Sequence, residues 1–147
     1  IGIGLTAPLL YDSIIASTEA RFLMRFAAIG SVPELGSSWL LPRIIGFHRA
    51  KEMILTGRIY DAEEARELGI VRRVVEPEQL MEAALAHAKR IAAQPPKATR
   101  LTKRLMKMAP DMELKPFLDV CAVFQGMCHN EPEHLEAVER LLARMKR

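Results

Sequence analysis

Helix-length segments separated by prolines constrain the fold of this chain more than any other feature. They begin at Pro77, and the separating residues are Pro95, Pro96, Pro110 and Pro132. Proline lacks a backbone N–H and is best tolerated at the start of a helix, so each of these prolines is expected to begin or end a segment. Apolar residues recur at helical spacing in the last segment at Leu135, Val138, Leu142 and Met145. Region 77–147 is therefore predicted to be all helical.

The residues before Pro77 show a mixed pattern. Residues 13–17, 20–26 and 70–75 are short apolar stretches that predict strands. Segments 36–45 and 48–56 have helical spacing, with Phe47, Ala50 and Ile54 predicted on one face. Asp61 has the side chain of a helix N-cap and opens a short helix that Gly69 closes. The predicted fold class is α/β, with an all-helical continuation.

Composition excludes several classes of protein. Half of the 147 residues are hydrophobic, which is enough for a core, but no apolar run approaches the ~20 residues of a membrane span. Twenty-one basic and 18 acidic residues give a net charge of only +3, so no nucleic-acid partner is predicted. Cys121 and Cys128 lie two turns apart on one predicted helix, too far apart to form a disulfide. Cys128, His129 and His134 match no zinc-binding spacing, and no metal site is predicted.

The first residues predict a turn with free backbone donors. Gly2 and Gly4 flank Ile3, and Pro8 requires any helix here to begin near Gly4 to Ala7. The first N–H groups of such a helix have no intrahelical partner and can bind an oxyanion or a phosphate. The alternative is a tight turn in the core with no ligand. A lone Gly-x-Gly pattern leaves both interpretations open.

Glu34 is the most prominent candidate for chemistry. It is the single acid in the loop from Ala27 to Ser38 and directly follows Pro33. As a structural residue, it would interact with the N-terminus of the predicted helix 36–45. As a catalyst, it would be a carboxylate that moves a proton within a largely apolar loop. The residues alone favour neither interpretation.

Four stretches occur together in a characteristic order and spacing. They are Gly2-Ile3-Gly4 followed by residues 12–17, Ala20-Arg21-Phe22, residues 30–38 with Leu41-Pro42-Arg43, and residues 55–71. In these stretches the chain resembles the C-terminal half of the enoyl-CoA hydratase/isomerase (crotonase) family. The resemblance implies the C-terminal part of a crotonase-like ββα spiral followed by an all-helical tail. We place the boundary between the α/β region, 1–76, and the helical region, 77–147.

The resemblance also implies a binding mode for the substrate. In the family, the thioester carbonyl of an acyl-CoA lies in an oxyanion hole of two backbone N–H groups. One of them corresponds here to Ile3, and the site is expected to be lined by Gly2, Gly4, Thr6, Phe26 and Pro33. The other is expected from an upstream half that this chain lacks, since the sequence resembles a fragment. Coenzyme A enters as part of the substrate, and no cofactor is expected.

The chain departs from the hydratases of the family at two positions. Thr6 and Phe26 occupy the places of the two catalytic glutamates, and neither side chain can act as a base. Several Δ3,Δ2-enoyl-CoA isomerases of the family carry a single glutamate where Glu34 stands, after Pro33. The resemblance therefore favours an isomerase with Glu34 as acid/base. Hydratase, hydrolase or lyase activity on another acyl-CoA and a non-catalytic CoA-binding or interaction module are the alternatives.

Further expectations concern assembly and location. The helical tail of the family packs homotrimers or dimers of trimers and helps to cover the CoA. Arg144 and Lys146 fall near a basic family position that contacts CoA phosphates. An intracellular protein of fatty acid metabolism and beta-oxidation is expected. It would be cytoplasmic in a bacterium, and mitochondrial or peroxisomal in a eukaryote.

Overall fold

A computed structural model describes residues 1–145, which form two compact units that divide between Leu85 and Ala86. The first unit begins with a single helical turn and continues with short strands and helices. Its elements are α1 (Ile3–Thr6), β1 (Ile15–Ser17), α2 (Ser37–Ile45), α3 (Phe47–Thr56), α4 (Ala62–Glu67) and β2 (Arg73–Val75). The mixed α/β pattern predicted from the sequence is confirmed. The boundary at residue 76 between the α/β region and the helical region stays a prediction. The compact units divide nine residues after it.

A small parallel sheet links the beginning and the end of the first unit. β1 pairs with β2, with Ala16 opposite Val74, and the connection between the two strands contains α2 to α4. Strands were predicted over 13–17 and 70–75, and both are present in shorter form. The strand predicted over 20–26 is wrong. Phe22 makes only one antiparallel bridge, to Tyr60, because consecutive residues 22–24 are all buried instead of alternating between two faces.

The core of the first unit is built mainly on α2 and α3. Leu41, Ala50 and Met53 are fully buried, together with Met24 from the irregular segment. This is the helical periodicity that predicted the two helices. Phe47, predicted on one face with Ala50 and Ile54, lies at the start of α3 and is 63% exposed, whereas Met53 is buried.

The start of α4 is specified locally. The Asp61 side chain accepts a hydrogen bond from the Glu64 N–H, and the Glu64 carboxylate accepts one from the Asp61 N–H. This reciprocal capping box satisfies two donors that the helix would otherwise leave unpaired. The hydrogen bond from Arg58 and the one from Asp61 lower the pKa of Glu64 below its usual value. The N-cap predicted at Asp61 is therefore confirmed.

The remaining helices are α5 (Leu80–Ala92), α6 (Pro96–Met108), α7 (Leu114–His129) and α8 (Pro132–Met145). The unit boundary falls within α5. α6 and α7 pack against each other, and an ion pair joins Lys97 to Glu131. None of the four helices has a fully buried residue. Leu85, Ala88 and Ile91 recur at helical spacing on α5, a pattern that favours burial, but within residues 1–145 these side chains are exposed.

Both cysteines are free thiols on α7, as their spacing predicted. Within residues 1–145, no three His, Cys, Asp or Glu side chains lie close enough together to hold a metal ion. Over the same residues, every helix is too short or too polar to cross a bilayer.

Candidate active site

The turn that opens α1 has a conformation that glycine adopts readily. Gly2 has φ 54° and ψ −127°, a region in which a Cβ atom is strongly disfavoured. Its N–H donates to the carbonyl of Leu23 at 3.2 Å, and its own carbonyl accepts from the N–H of Leu5 at 2.8 Å and of Thr6 at 3.0 Å. The first bond joins the turn to the buried segment 22–24, and the other two close the first turn of α1.

Ile3 is the first residue of α1, and its backbone N–H is free. Among residues 1–145, no backbone or side-chain oxygen accepts a hydrogen bond from it. The Ile3 residue is 63% exposed, whereas Leu5 and Thr6 are buried and hold the turn in place. A helix N-terminus with a free N–H can accept a negatively charged oxygen. The structure thus places the predicted oxyanion donor at an exposed turn on a rigid support.

Replacing Gly2 with alanine tests this turn. We expect Gly2→Ala to lower the free energy of unfolding of the first unit by about 1–3 kcal/mol, because alanine strains the backbone at this φ and ψ. Gly4→Ala is the matched control, since Gly4 has ordinary helical φ and no atom within 4 Å of a new Cβ. Urea unfolding followed by the fluorescence of Trp39, the single tryptophan, measures both variants. Equal losses in the two variants would contradict the conformational role of Gly2.

The loop that carries Glu34 contains several left-handed residues. Phe26 is half-buried, and its carbonyl accepts the N–H of Ser31 at 2.9 Å, closing a turn whose Gly30 has φ 68°. After Glu34, Leu35 and Gly36 have φ 52° and 68°. A left-handed conformation at leucine costs about 1–2 kcal/mol, so the fold imposes it. Nothing in the sequence predicted it, because leucine rarely adopts this conformation.

The Glu34 side chain is exposed and turned toward α1. Its Oε1 accepts a hydrogen bond from the Thr6 hydroxyl, with 3.5 Å between the two oxygens. No side chain caps α2 by a hydrogen bond, so the capping interpretation of the Glu34 carboxylate has no contact to support it. The fold therefore brings together two candidate residues that lie 28 positions apart in the sequence.

Ser37 holds the backbone of the same loop. It is fully buried, and both its hydroxyl and its N–H donate to the Glu34 carbonyl, at 2.6 Å and 3.0 Å. The sequence placed Ser37 near a helix start but did not indicate that its acceptor is Glu34. The Glu34 main chain and side chain are thus fixed by different residues, Ser37 and Thr6.

The other predicted site residues are more dispersed. Pro33 is half-buried immediately before Glu34. The residues on either side of Phe26 line a cleft of about 250 Å³, whose opposite wall is the end of α3 through Gly57. Arg144 is exposed in the last turn of α8, and Lys146 lies outside the described residues. The CoA contact predicted for these two basic residues stays a prediction.

Ion pairs shift the pKa values of side chains around the start of α4. The Glu64 carboxylate raises the pKa of Arg58, and the Glu63 carboxylate raises that of Arg66. At the candidate site, the chemistry available comes from one free backbone N–H and one hydrogen-bonded carboxylate. This pairing is what an acid–base site needs when negative charge develops on a substrate oxygen.

Comparison with known proteins defines the family. The sequence model for enoyl-CoA hydratase/isomerase matches residues 1–142. The 1,2-epoxyphenylacetyl-CoA isomerase of Escherichia coli is 34% identical over 97% of this chain and 55% of its own length. A short-chain-enoyl-CoA hydratase of Clostridioides difficile is 32% identical over 86% of this chain and 82% of its own length. A solved enoyl-CoA hydratase/isomerase from Cupriavidus metallidurans is 36% identical, with a TM-score of 0.91 over 97% of this chain.

The chain therefore belongs to the enoyl-CoA hydratase/isomerase family, and the resemblance found in its sequence is confirmed. The fold class is confirmed as well, as an α/β part of a crotonase fold. The chain spans 55% of the E. coli relative and 54% of the C. metallidurans structure.

Proposed function

We propose that the protein is an acyl-CoA isomerase that converts 3-enoyl-CoA into 2-enoyl-CoA. Glu34 is its single acid/base, and the Ile3 N–H is one donor of its oxyanion hole. The observation that supports this proposal is the contact of Glu34 with Thr6, one turn along α1 from the free N–H of Ile3. That contact joins a carboxylate to the last residue of the short helix whose first N–H would bind the oxyanion.

The reaction needs no second carboxylate. The Glu34 carboxylate removes a proton from C2 of the substrate, and the electron pair moves into the thioester carbonyl to form a dienolate. The Ile3 N–H stabilises the negative oxygen of that dienolate. The carboxylic acid of Glu34 then returns the same proton at C4, which leaves the double bond between C2 and C3. Atoms and charge balance, and Glu34 ends as it began.

The absence of acids at two positions supports the isomerase over a hydratase. Thr6 and Phe26 stand where the resemblance places the two hydratase glutamates. Thr6 is fully buried and Phe26 packs against the core. Neither a hydroxyl nor a phenyl ring is basic enough to accept the proton. Adding water across a double bond needs one group to activate the water and one to protonate the carbon. A single carboxylate such as that of Glu34 is sufficient to transfer one proton between two carbons.

Hydration is the second candidate, because Glu34 is open to water and the C. difficile relative is named a hydratase. In that case Glu34 would orient the water. Assays of the native protein with 3-enoyl-CoA and with 2-enoyl-CoA in parallel separate the two functions. Faster isomerisation of the 3-enoyl substrate supports the proposal, and hydration without isomerisation contradicts it.

Assembly and location are part of the same proposal. α7 and α8 expose large apolar side chains, among them Leu114, Leu118, Val123, Leu135 and Leu141. Contiguous exposed apolar surface is typical of protein interfaces. We propose that these helices contribute to a homotrimer or a dimer of trimers. The relatives compared above are bacterial, in keeping with an intracellular protein of fatty acid metabolism.

A further inference from the structure

Thr6 occupies the position of a hydratase glutamate, but this replacement does not explain its contact with Glu34. The residue is completely buried, yet its hydroxyl has a partner at the surface. Among residues 1–145, the Glu34 carboxylate is its one side-chain acceptor. Threonine is branched at Cβ and has few rotamers in a helix, so the hydroxyl is a fixed point. Leu5, buried beside it in α1, anchors the same turn.

We propose that Thr6 is a positioning residue that orients the Glu34 carboxylate for proton transfer. This inference rests on the proposed acid/base role of Glu34. The Thr6 hydroxyl holds Oε1, and Oε2, which has no partner among residues 1–145, is the oxygen that carries the proton between C2 and C4. Thr6 itself touches neither the substrate nor the proton.

The need for positioning follows from the exposure of Glu34. An exposed glutamate samples several side-chain rotamers, and ordering such a side chain opposes the reaction entropically. A carboxylate that collects a proton at one carbon and delivers it at another must keep one orientation in between. Ser37 and the left-handed Leu35 fix the main chain, whereas within residues 1–145 the carboxylate itself is held by Thr6 alone.

The two oxygens are 3.5 Å apart, at the long limit for an O–H···O hydrogen bond. Catalytic hydrogen bonds are often long in the free enzyme and shorten when the substrate is bound. A hydrogen bond from a fixed donor to a carboxylate is charge-assisted and stronger than one between neutral groups. Loss of this hydrogen bond is therefore expected to lower kcat, which reports on the bound state, and to leave KM nearly unchanged.

Replacing Thr6 with valine keeps its shape and removes the hydroxyl. In the native protein with 3-enoyl-CoA as substrate, we expect Thr6→Val and Thr6→Ala to lower kcat about tenfold, which corresponds to about 1.4 kcal/mol. KM should change less than twofold. Thr6→Ser retains the donor and should keep kcat within about threefold of the wild type.

Thr18→Val is the matched control. It removes a similar hydrogen bond, from the Thr18 hydroxyl to Glu76 at 3.2 Å, at an exposed position in the first unit. The kcat of Thr18→Val should equal that of the wild type. Unfolding followed by Trp39 fluorescence verifies that each variant is folded before kinetics are compared.

A double-mutant cycle with Glu34→Gln separates positioning from a structural effect. If Thr6 acts through Glu34, Thr6→Val should lower kcat less than twofold in the Glu34→Gln background. Three results would overturn the inference: a kcat within twofold of the wild type for both hydroxyl-free variants, no rescue by serine, or an undiminished tenfold loss without Glu34. Each of these leaves the proposed function intact, whereas full activity of Glu34→Gln would overturn both.

Discussion

Replacing Glu34 with glutamine is expected to lower 3-enoyl-CoA isomerisation by about 10²–10⁴-fold, the usual effect of losing a general base. Glutamine has nearly the same shape and offers an oxygen to the Thr6 hydroxyl, so the contact seen at 3.5 Å can persist. The amide cannot take a proton from C2. The loss should therefore appear in kcat, measured in the native protein under saturating substrate.

Glu76→Gln is the control for this substitution. Glu76 is also exposed and also accepts a hydrogen bond from a threonine, but it lies beside β2 and outside the candidate site. Its replacement should leave the isomerase rate unchanged. Activity of Glu34→Gln within about tenfold of the wild type would end the assignment of Glu34 as the base.

The second large effect is expected on stability, at Leu5. This side chain is 1% exposed and belongs to the core, and it lies between Ile3 and Thr6. Leu5→Ala should lower the free energy of unfolding of the first unit by about 2–5 kcal/mol, because it removes buried apolar surface and leaves a cavity. Urea unfolding monitored through Trp39 provides the measurement.

Leu10→Ala makes the same chemical change a few residues away. Leu10 is 52% exposed, so its truncation should cost well under half as much. A loss below about 1 kcal/mol at Leu5, or equal losses at Leu5 and Leu10, would show that α1 is not anchored through the core. The support of the Ile3 N–H would then need another explanation.

Features that depend on neighbouring residues were predicted correctly. The N-cap at Asp61 bonds to a residue three positions along the chain, and the helical pattern of α2 and α3 repeats within two turns. The turn at Gly2 belongs to the same group, since glycine adopts a φ of 54° without a steric penalty. Such interactions are local, so a sequence pattern predicts them directly.

Features that depend on burial by distant residues were not predicted correctly. Residues 20–26 have an apolar pattern that predicts a strand, but 22–24 enter the core together and pair only at Phe22. Likewise, α5 has an apolar stripe that residues 1–145 leave uncovered. Periodicity shows which side chains would gain from burial, but the availability of a partner surface decides whether they are buried.

By itself, the sequence determined the α/β and helical regions, the glycine turn at Ile3 and the isolation of Glu34 as an acid in its loop. Only the tertiary structure decided which donor the Glu34 carboxylate contacts. The fold imposes a left-handed Leu35 and brings Thr6 to Glu34 across 28 residues. The physical reason is that a carboxylate caps a helix or accepts a side-chain hydrogen bond according to which donor lies within reach. That distance is set by packing of the whole unit and not by spacing along the chain.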